Sequence, residues 1–147
     1  MKGKFKPGQS LMEVVVAMGL VVVAVVALVS TTIFTQKAAR SANAQTQATK
    51  LAEESIEQLR VIRDRRGFGY LVASTCYILN ATDPDPNSWS LTICGTPPSF
   101  TLGNIEFVRS IDVVDDGANK KKVTVSVSWQ ESGGTKKVEN VTFFSNF

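Results

Sequence analysis

The sequence predicts an α+β protein in which one long N-terminal helix packs on a small C-terminal antiparallel β-sheet. Three observations predict this fold. Residues 11–34 are almost continuously apolar, residues 36–66 contain neither glycine nor proline, and the chain beyond Gly69 changes to alternating apolar and polar residues. A chain of 147 residues leaves room for one ordinary domain once an N-terminal membrane segment is set aside.

The apolar run is long enough to cross a membrane, because about two dozen helical residues span a hydrocarbon core of roughly 30 Å. It contains one ionisable residue, Glu13. Lysines precede the run, and no comparable basic cluster follows before Lys37 and Arg40, so we expect the N-terminus to stay in the cytoplasm and the remainder to be exported. A cleaved secretory signal is the alternative, but its apolar region is typically only about 7–15 residues long.

The helical pattern continues beyond the apolar run. Residues 35–66 are rich in good helix formers, and their apolar residues recur at steps of three and four: Ala48, Leu51, Ala52, Ile56, Leu59 and Ile62. Gly67 and Gly69 end the pattern. We therefore expect a single helix from about Ser10 to Arg66, with a membrane half at residues 9–34 and an amphipathic half at residues 35–66 whose apolar face packs on the sheet.

Residues 67–147 are predicted to form the exported β-sheet domain. Its apolar residues alternate with polar ones from Val123 to Gln130, which is typical of a half-buried antiparallel strand. Further strands are predicted at residues 104–114 and 135–147, with turns at 115–117 and 133–134. These three strands make a meander. Residues 68–103 are expected to be an irregular connecting loop, with short strands at 70–79 and 89–94, and to form the exposed, variable surface.

Two cysteines, Cys76 and Cys94, lie in the part of the chain expected outside the cytoplasm. An oxidising compartment favours a disulfide between them, and two free structural thiols are the alternative. The sequence has no histidine, which removes the commonest general base and metal ligand, so we expect no enzymatic activity, no catalytic residues, no metal site and no cofactor.

The formal charge of +3 comes from the first residues of the chain. Without Lys2, Lys4 and Lys6, the 16 basic residues fall to 13 and equal the 13 acidic ones, so net charge gives little support for nucleic-acid binding. Basic clusters occur at the helix end (Arg60, Arg63, Arg65, Arg66) and at Lys120–Lys122, which are expected to face Lys136 and Lys137 across a hairpin. Solvated surface is the main interpretation of these clusters, and a nucleic-acid contact or salt bridges between subunits are the alternatives.

Two further features have competing interpretations. Asp83-Pro-Asp85-Pro-Asn87 has acidic spacing similar to that of a calcium loop, but its prolines and the missing central glycine favour a turn. Trp89 and Phe100 are either core residues, which we expect, or exposed adhesive residues.

The N-terminal residues resemble a known signal. A lysine-rich leader ending in Gly8, then Gln9-Ser10-Leu11-Met12-Glu13 and an apolar helix, is similar to the type IV prepilin signal of type IV pilins and of the pseudopilins of type II secretion and DNA uptake. The close match covers residues 1 to about 34. It departs from the family's common pattern in having glutamine where phenylalanine is usual at the first mature position, and in having no proline from Val14 to Val29.

This resemblance implies that residues 1–8 are a leader, which a prepilin peptidase removes between Gly8 and Gln9 and after which the new amine of Gln9 is commonly methylated. The amine is then available to the Glu13 carboxylate of a neighbouring subunit. Because an isolated carboxylate and an isolated ammonium are both costly at low dielectric, their pairing would favour one axial stagger between subunits.

The resemblance also implies the function, the location and the partners. We expect a structural filament subunit that waits as a single-pass protein in the bacterial cytoplasmic membrane and then joins a cell-surface filament. Its partners would be copies of itself or other pilins, the prepilin peptidase, an assembly ATPase and a membrane platform protein. A pseudopilin or minor pilin of a secretion or DNA-uptake machine, and a membrane-anchored binding domain that never polymerises, are the alternatives.

Overall fold

The computed structural model describes residues 7–146, with side chains from residue 11 onward. One helix, α1 (Pro7–Arg66), accounts for 60 residues. It ends where the sequence predicts and begins three residues before the predicted Ser10. Gly67 follows the helix with a φ of +86°, a left-handed conformation that favours glycine, and its N–H donates to the Arg63 carbonyl at 2.8 Å.

The described chain divides into two compact units, and the boundary lies between Ser41 and Ala42. The first unit is helical, and the second contains the rest of α1 with all of the strands. The predicted α+β class is confirmed, since a long apolar N-terminal helix precedes antiparallel sheets.

In the second unit, one face of α1 packs into the core. The predicted apolar positions are buried except Leu51, which is partly buried, and Ala44 and Ser55 join them. These residues share one face because they follow the helical period of 3.6 residues. The small side chains near the beginning of this face give way to larger ones near its end: Ala44, Ala48, Ala52, Ile56, Leu59 and Ile62.

The main sheet has four antiparallel strands in sequential order: β3 (Ser99–Leu102), β4 (Ile105–Asp115), β5 (Lys120–Glu131) and β6 (Gly134–Ser145). Alternation places the apolar residues of β5 on the helix-facing side, where Val123, Val125 and Val127 are fully buried. The turn between β5 and β6 pairs Glu131 with Gly134, which has a φ of +114°.

Before the main sheet, Phe68–Tyr70 form a 3₁₀ turn, and β1 (Tyr77–Asn80) pairs with β2 (Ser90–Ile93) in a separate two-stranded antiparallel sheet. Tyr77 and Leu79 of β1 are buried and belong to the same core as the helix. Trp89 and Phe100 pack against this core while partly exposed, which confirms the packing interpretation for both.

Three expectations about the sheet domain are wrong. The main sheet has a fourth strand, β3, inside the segment predicted to be irregular, and the predicted strand at 70–79 begins only at Tyr77. Lys120–Lys122 do not face Lys136 and Lys137, because the register pairs Lys122 with Phe143 and Lys136 with Trp129. Lys136 and Lys137 lie near the turn of the hairpin, and Lys120–Lys122 lie at its open end.

Candidate assembly site

The first unit presents an uncovered apolar helix surface. Every residue from 11 to 40 is exposed, and sixteen large hydrophobic side chains between Leu11 and Phe34 are 52–73% exposed. Among the described residues, this helix has the length and composition needed to cross a membrane. Such a surface needs lipid or another apolar surface to cover it, because burying one large aliphatic side chain is favourable by roughly 1.5–3 kcal/mol.

The hydroxyl groups of the apolar segment are satisfied within the helix itself. Ser30, Thr31, Thr32 and Thr35 each donate to the carbonyl four residues earlier, at 2.8–2.9 Å. In lipid a polar group without a partner costs several kcal/mol, so this internal bonding makes the segment compatible with a hydrocarbon environment.

Glu13 differs from these hydroxyl groups. It is exposed, and among residues 11–146 no basic nitrogen lies within 4.0 Å of its carboxylate. Gly8 and Gln9, the predicted processing residues, lie in the first turns of α1, but the Gln9 side chain and residues 1–6 of the predicted leader lie outside the described residues. The carboxylate therefore lacks a partner within the described chain, and a charge in an apolar segment usually marks a functional position.

Cys76 and Cys94 form a disulfide with a Cα–Cα distance of 5.1 Å. The disulfide closes the open end of the β1–β2 hairpin, where the Cys94 N–H also donates to the Cys76 carbonyl at 3.0 Å. The bridge predicted from the expected compartment is therefore present, and its role is to hold the two-stranded sheet together at its base.

The other end of this hairpin is tied to the end of α1. The Arg65 guanidinium donates to the Asn87 Oδ1 at 2.5 Å, and the Arg66 guanidinium donates to the Asn87 carbonyl at 3.2 Å. Within the loop, the Trp89 indole N–H donates to the Asp83 carbonyl at 2.7 Å. The loop that the sequence marks as variable is thus fixed by side-chain contacts.

The acidic residues of this loop form turns. The Asp83 carboxylate accepts the Asp85 N–H at 2.8 Å, and the Asp85 carboxylate accepts the Asn87 N–H at 2.9 Å. These are the local contacts through which aspartate stabilises turns. Within the described residues, no group of three or more acidic or cysteine side chains is arranged to hold a metal ion.

The basic clusters contact nearby acidic and aromatic groups. Arg60 pairs with Glu57 at 2.6 Å, and Arg63 pairs with Asp64 at 2.6 Å while its guanidinium lies 4.9 Å from the centre of the Phe144 ring. The other contacts of this kind are Arg66 with Tyr70, Lys120 with Asp116, and Lys121 with Asp115. Most members of these clusters are thus engaged in contacts within the domain, and this weakens the nucleic-acid alternative.

Arg109 is a partly buried basic residue that the sequence interpretation missed. Its guanidinium donates to the Ser55 Oγ and to the Leu79 carbonyl, both at 3.2 Å, so it connects β4 with α1 and β1. Burial lowers the pKa of this guanidinium from its usual value, and the charge of Glu54 acts in the opposite direction. The alternation of β4 could have indicated that the Arg109 side chain faces the core, because Phe107, Arg109 and Ile111 occupy successive positions on the same face.

No family model, curated protein or solved structure matches the chain.

Proposed function

We propose that this chain is a structural subunit of a type IV pilus or a pilus-like filament. The observation that carries the proposal is the uncovered apolar helix surface from Leu11 to Phe34 with Glu13 near its beginning. At roughly 1.5 kcal/mol for each of the sixteen large side chains, leaving this surface in water would cost on the order of 25 kcal/mol. The segment therefore needs lipid before assembly and neighbouring helices after it.

Four further observations support a filament subunit over a simple membrane anchor. The helix continues without a break from the apolar segment into the half that packs on the sheet, and the hydroxyls of the apolar segment have partners within it. Glu13 lacks a basic partner in the described chain, as a residue reserved for another subunit would. The basic leader, Gly8 and Glu13 have the spacing of a prepilin signal.

In this proposal, cleavage after Gly8 leaves a positively charged amine at Gln9, and the Glu13 carboxylate of a neighbouring copy pairs with it. Pairing two charges that would otherwise be isolated at low dielectric favours one register between helices. Removal of the helix from lipid requires work, so an assembly ATPase and a membrane platform protein are proposed partners together with the prepilin peptidase. The cytoplasmic membrane and then the cell surface are the proposed locations.

The test is to replace Glu13 by glutamine in cells that assemble the filament, with Glu106→Gln as the matched control. Glu106 is an exposed carboxylate on the sheet, so the control removes the same charge away from the helix. Surface filaments are sheared off, quantified and imaged by electron microscopy. We expect normal filaments with Glu106→Gln and a large loss with Glu13→Gln. Filaments of normal yield and order from Glu13→Gln would contradict the proposed pairing.

A pseudopilin or minor pilin would give processed protein in short or rare filaments. A membrane-anchored binding domain would give protein in membranes only, and that result would reject the proposed function. The same preparation therefore separates the proposal from both alternatives.

A further inference from the structure

The sequence contains two Asn-x-Thr tripeptides, at residues 80–82 and at residues 140–142. This tripeptide is the acceptor sequence for N-linked glycosylation when its middle residue is not proline and the site lies on the surface of an exported protein. The motif is short enough to occur by chance, so the structural surroundings of each copy decide whether a transferase can use it. The two copies differ in exactly this respect.

The first copy lies at the end of β1, where the chain leaves the small sheet. Asn80 is the last residue of the strand and pairs with Ser90, and residues 81–89 form the loop of the hairpin. Asn80 and Thr82 are exposed, whereas Ala81 between them packs against the core. Extended alternation therefore directs the amide and the hydroxyl to the same, solvent-facing side, and the Thr82 hydroxyl donates to the Asn80 Oδ1 at 3.2 Å.

The second copy lies within the main sheet. Asn140 and Thr142 are partly buried in the middle of β6, where they pair with Val125 and Val123 of β5. Their side chains face α1, since they line a groove together with Glu53. An enzyme has to bring both the amide and the hydroxyl of the acceptor into its active site. It could reach the second copy only if this part of β6 left the sheet.

We propose that Asn80 is an N-glycosylation site and that Asn140 is not used. The sugar comes from a lipid-linked diphosphate donor, and an oligosaccharyltransferase at the outer face of the membrane transfers it. The Asn80 Nδ2 attacks the anomeric C1 of the donor sugar and gives up one proton to a base of the enzyme. The bond from C1 to the diphosphate oxygen breaks as the bond from C1 to Nδ2 forms, and the lipid diphosphate leaves.

The site requires the sheet domain to lie outside the cytoplasm, where such a transferase acts. Cys76, four residues before Asn80, forms the disulfide with Cys94, and disulfides of this kind persist in exported domains. A bulky, hydrophilic saccharide on Asn80 projects from the exposed end of the hairpin and has room in solvent. This inference rests on the export that the proposed function includes, and it does not depend on filament assembly.

The test is peptide mapping of the full-length chain recovered from the cells that produce it. Trypsin cleaves after lysine and arginine, so it places Asn80 in the peptide 67–109 and Asn140 in the peptide 138–147. The first of these peptides also contains the Cys76–Cys94 bridge. Alkylation before and after reduction therefore reports, on the same peptide, whether each variant has folded and formed its disulfide.

The peptide 67–109 should carry an added mass that tandem mass spectrometry locates on Asn80 as a saccharide, and the peptide 138–147 should have the mass of its sequence. Asn80→Gln and Thr82→Val should each lose all of the added mass. Thr82→Ser keeps the hydroxyl and should retain it, and Asn140→Gln is the matched control that should change nothing. Because the saccharide is located on one peptide, its mass can be subtracted from the intact mass of the chain.

A peptide 67–109 of unmodified mass, a saccharide on Asn140 instead, or a saccharide that survives Thr82→Val would each overturn the inference. Filaments built from chains that carry no saccharide would leave the proposed function standing. A saccharide on Asn80 of chains that occur in membranes and never in filaments would support the site and reject the filament role. The two proposals therefore fail in distinguishable ways.

Discussion

Removal of the Cys76–Cys94 disulfide should destabilise the sheet domain by an amount that the structure allows us to estimate. The bridge closes a loop with a sequence separation of 18 residues. In the chain-entropy model, a loop of this size restricts the unfolded chain enough to stabilise the folded state by about 3 kcal/mol at 25 °C. Because Tyr77 and Leu79 of the bridged hairpin belong to the common core, we expect the loss to affect the whole domain.

The perturbation is the double substitution Cys76→Ser with Cys94→Ser in the full chain, held in detergent micelles because of its apolar helix. Urea unfolding followed by tryptophan fluorescence reports the free energy of unfolding, with Trp89 beside the small sheet and Trp129 on β5. A reducing agent should lower the stability of the unmodified chain by a similar amount and leave the double variant unchanged. A loss below about 1 kcal/mol at both tryptophans would refute the entropic argument.

Two further predictions concern one partly buried and one buried polar side chain, Arg109 and Tyr77. Arg109→Met should change the free energy of unfolding by no more than about 1 kcal/mol, because loss of the hydrogen bonds to Ser55 and Leu79 is offset by removal of a poorly solvated charge. Arg109→Ala should lower the free energy of unfolding by about 2–3 kcal/mol through lost packing. Equal urea midpoints for the two variants would contradict this difference. Burial raises the pKa of Tyr77. The neutral phenol donates to the Val72 carbonyl, so its contribution to the free energy of unfolding should be full below about pH 10 and decline as pH rises further. Tyr77→Phe should lower the free energy of unfolding by about 1 kcal/mol at neutral pH and should abolish this alkaline decline, as measured by urea unfolding.

The local patterns of the sequence predict much of the fold. The apolar period of α1 identifies its buried face, and the glycines after Arg66 identify its end, because both features depend on nearby residues only. The long strands β4, β5 and β6 are likewise recognisable from alternation and turn residues. β3 alternates polar and apolar residues, but it was missed because a run of only four residues is too short to identify a strand. It is held by pairing with β4 at positions such as Phe100 and Phe107.

The lysine groups were expected to face each other, and this was wrong because the register between β5 and β6 cannot be read from the sequence. Lys120–Lys122 and Lys136–Lys137 both flank the same hairpin, but pairing of Glu131 with Gly134 at the turn fixes every other pair and places Lys122 opposite Phe143. The partial burial of Arg109 depends on contacts with Ser55 and Leu79, which are distant in sequence, so no local pattern could supply its hydrogen-bond partners. For the candidate site, the sequence identifies Glu13 and the apolar segment, and the structure adds their exposure.

The central claim is that the chain is trimmed after Gly8 and assembles through its apolar helix. Intact-mass measurement of protein sheared from the cell surface as filaments tests it most directly. We predict a chain that begins at Gln9 and carries a free or singly methylated amine, because a cyclised Gln9 would lack the charge that the proposed pairing with Glu13 needs. Filament-free preparations, or surface protein that retains residues 1–8, would contradict it.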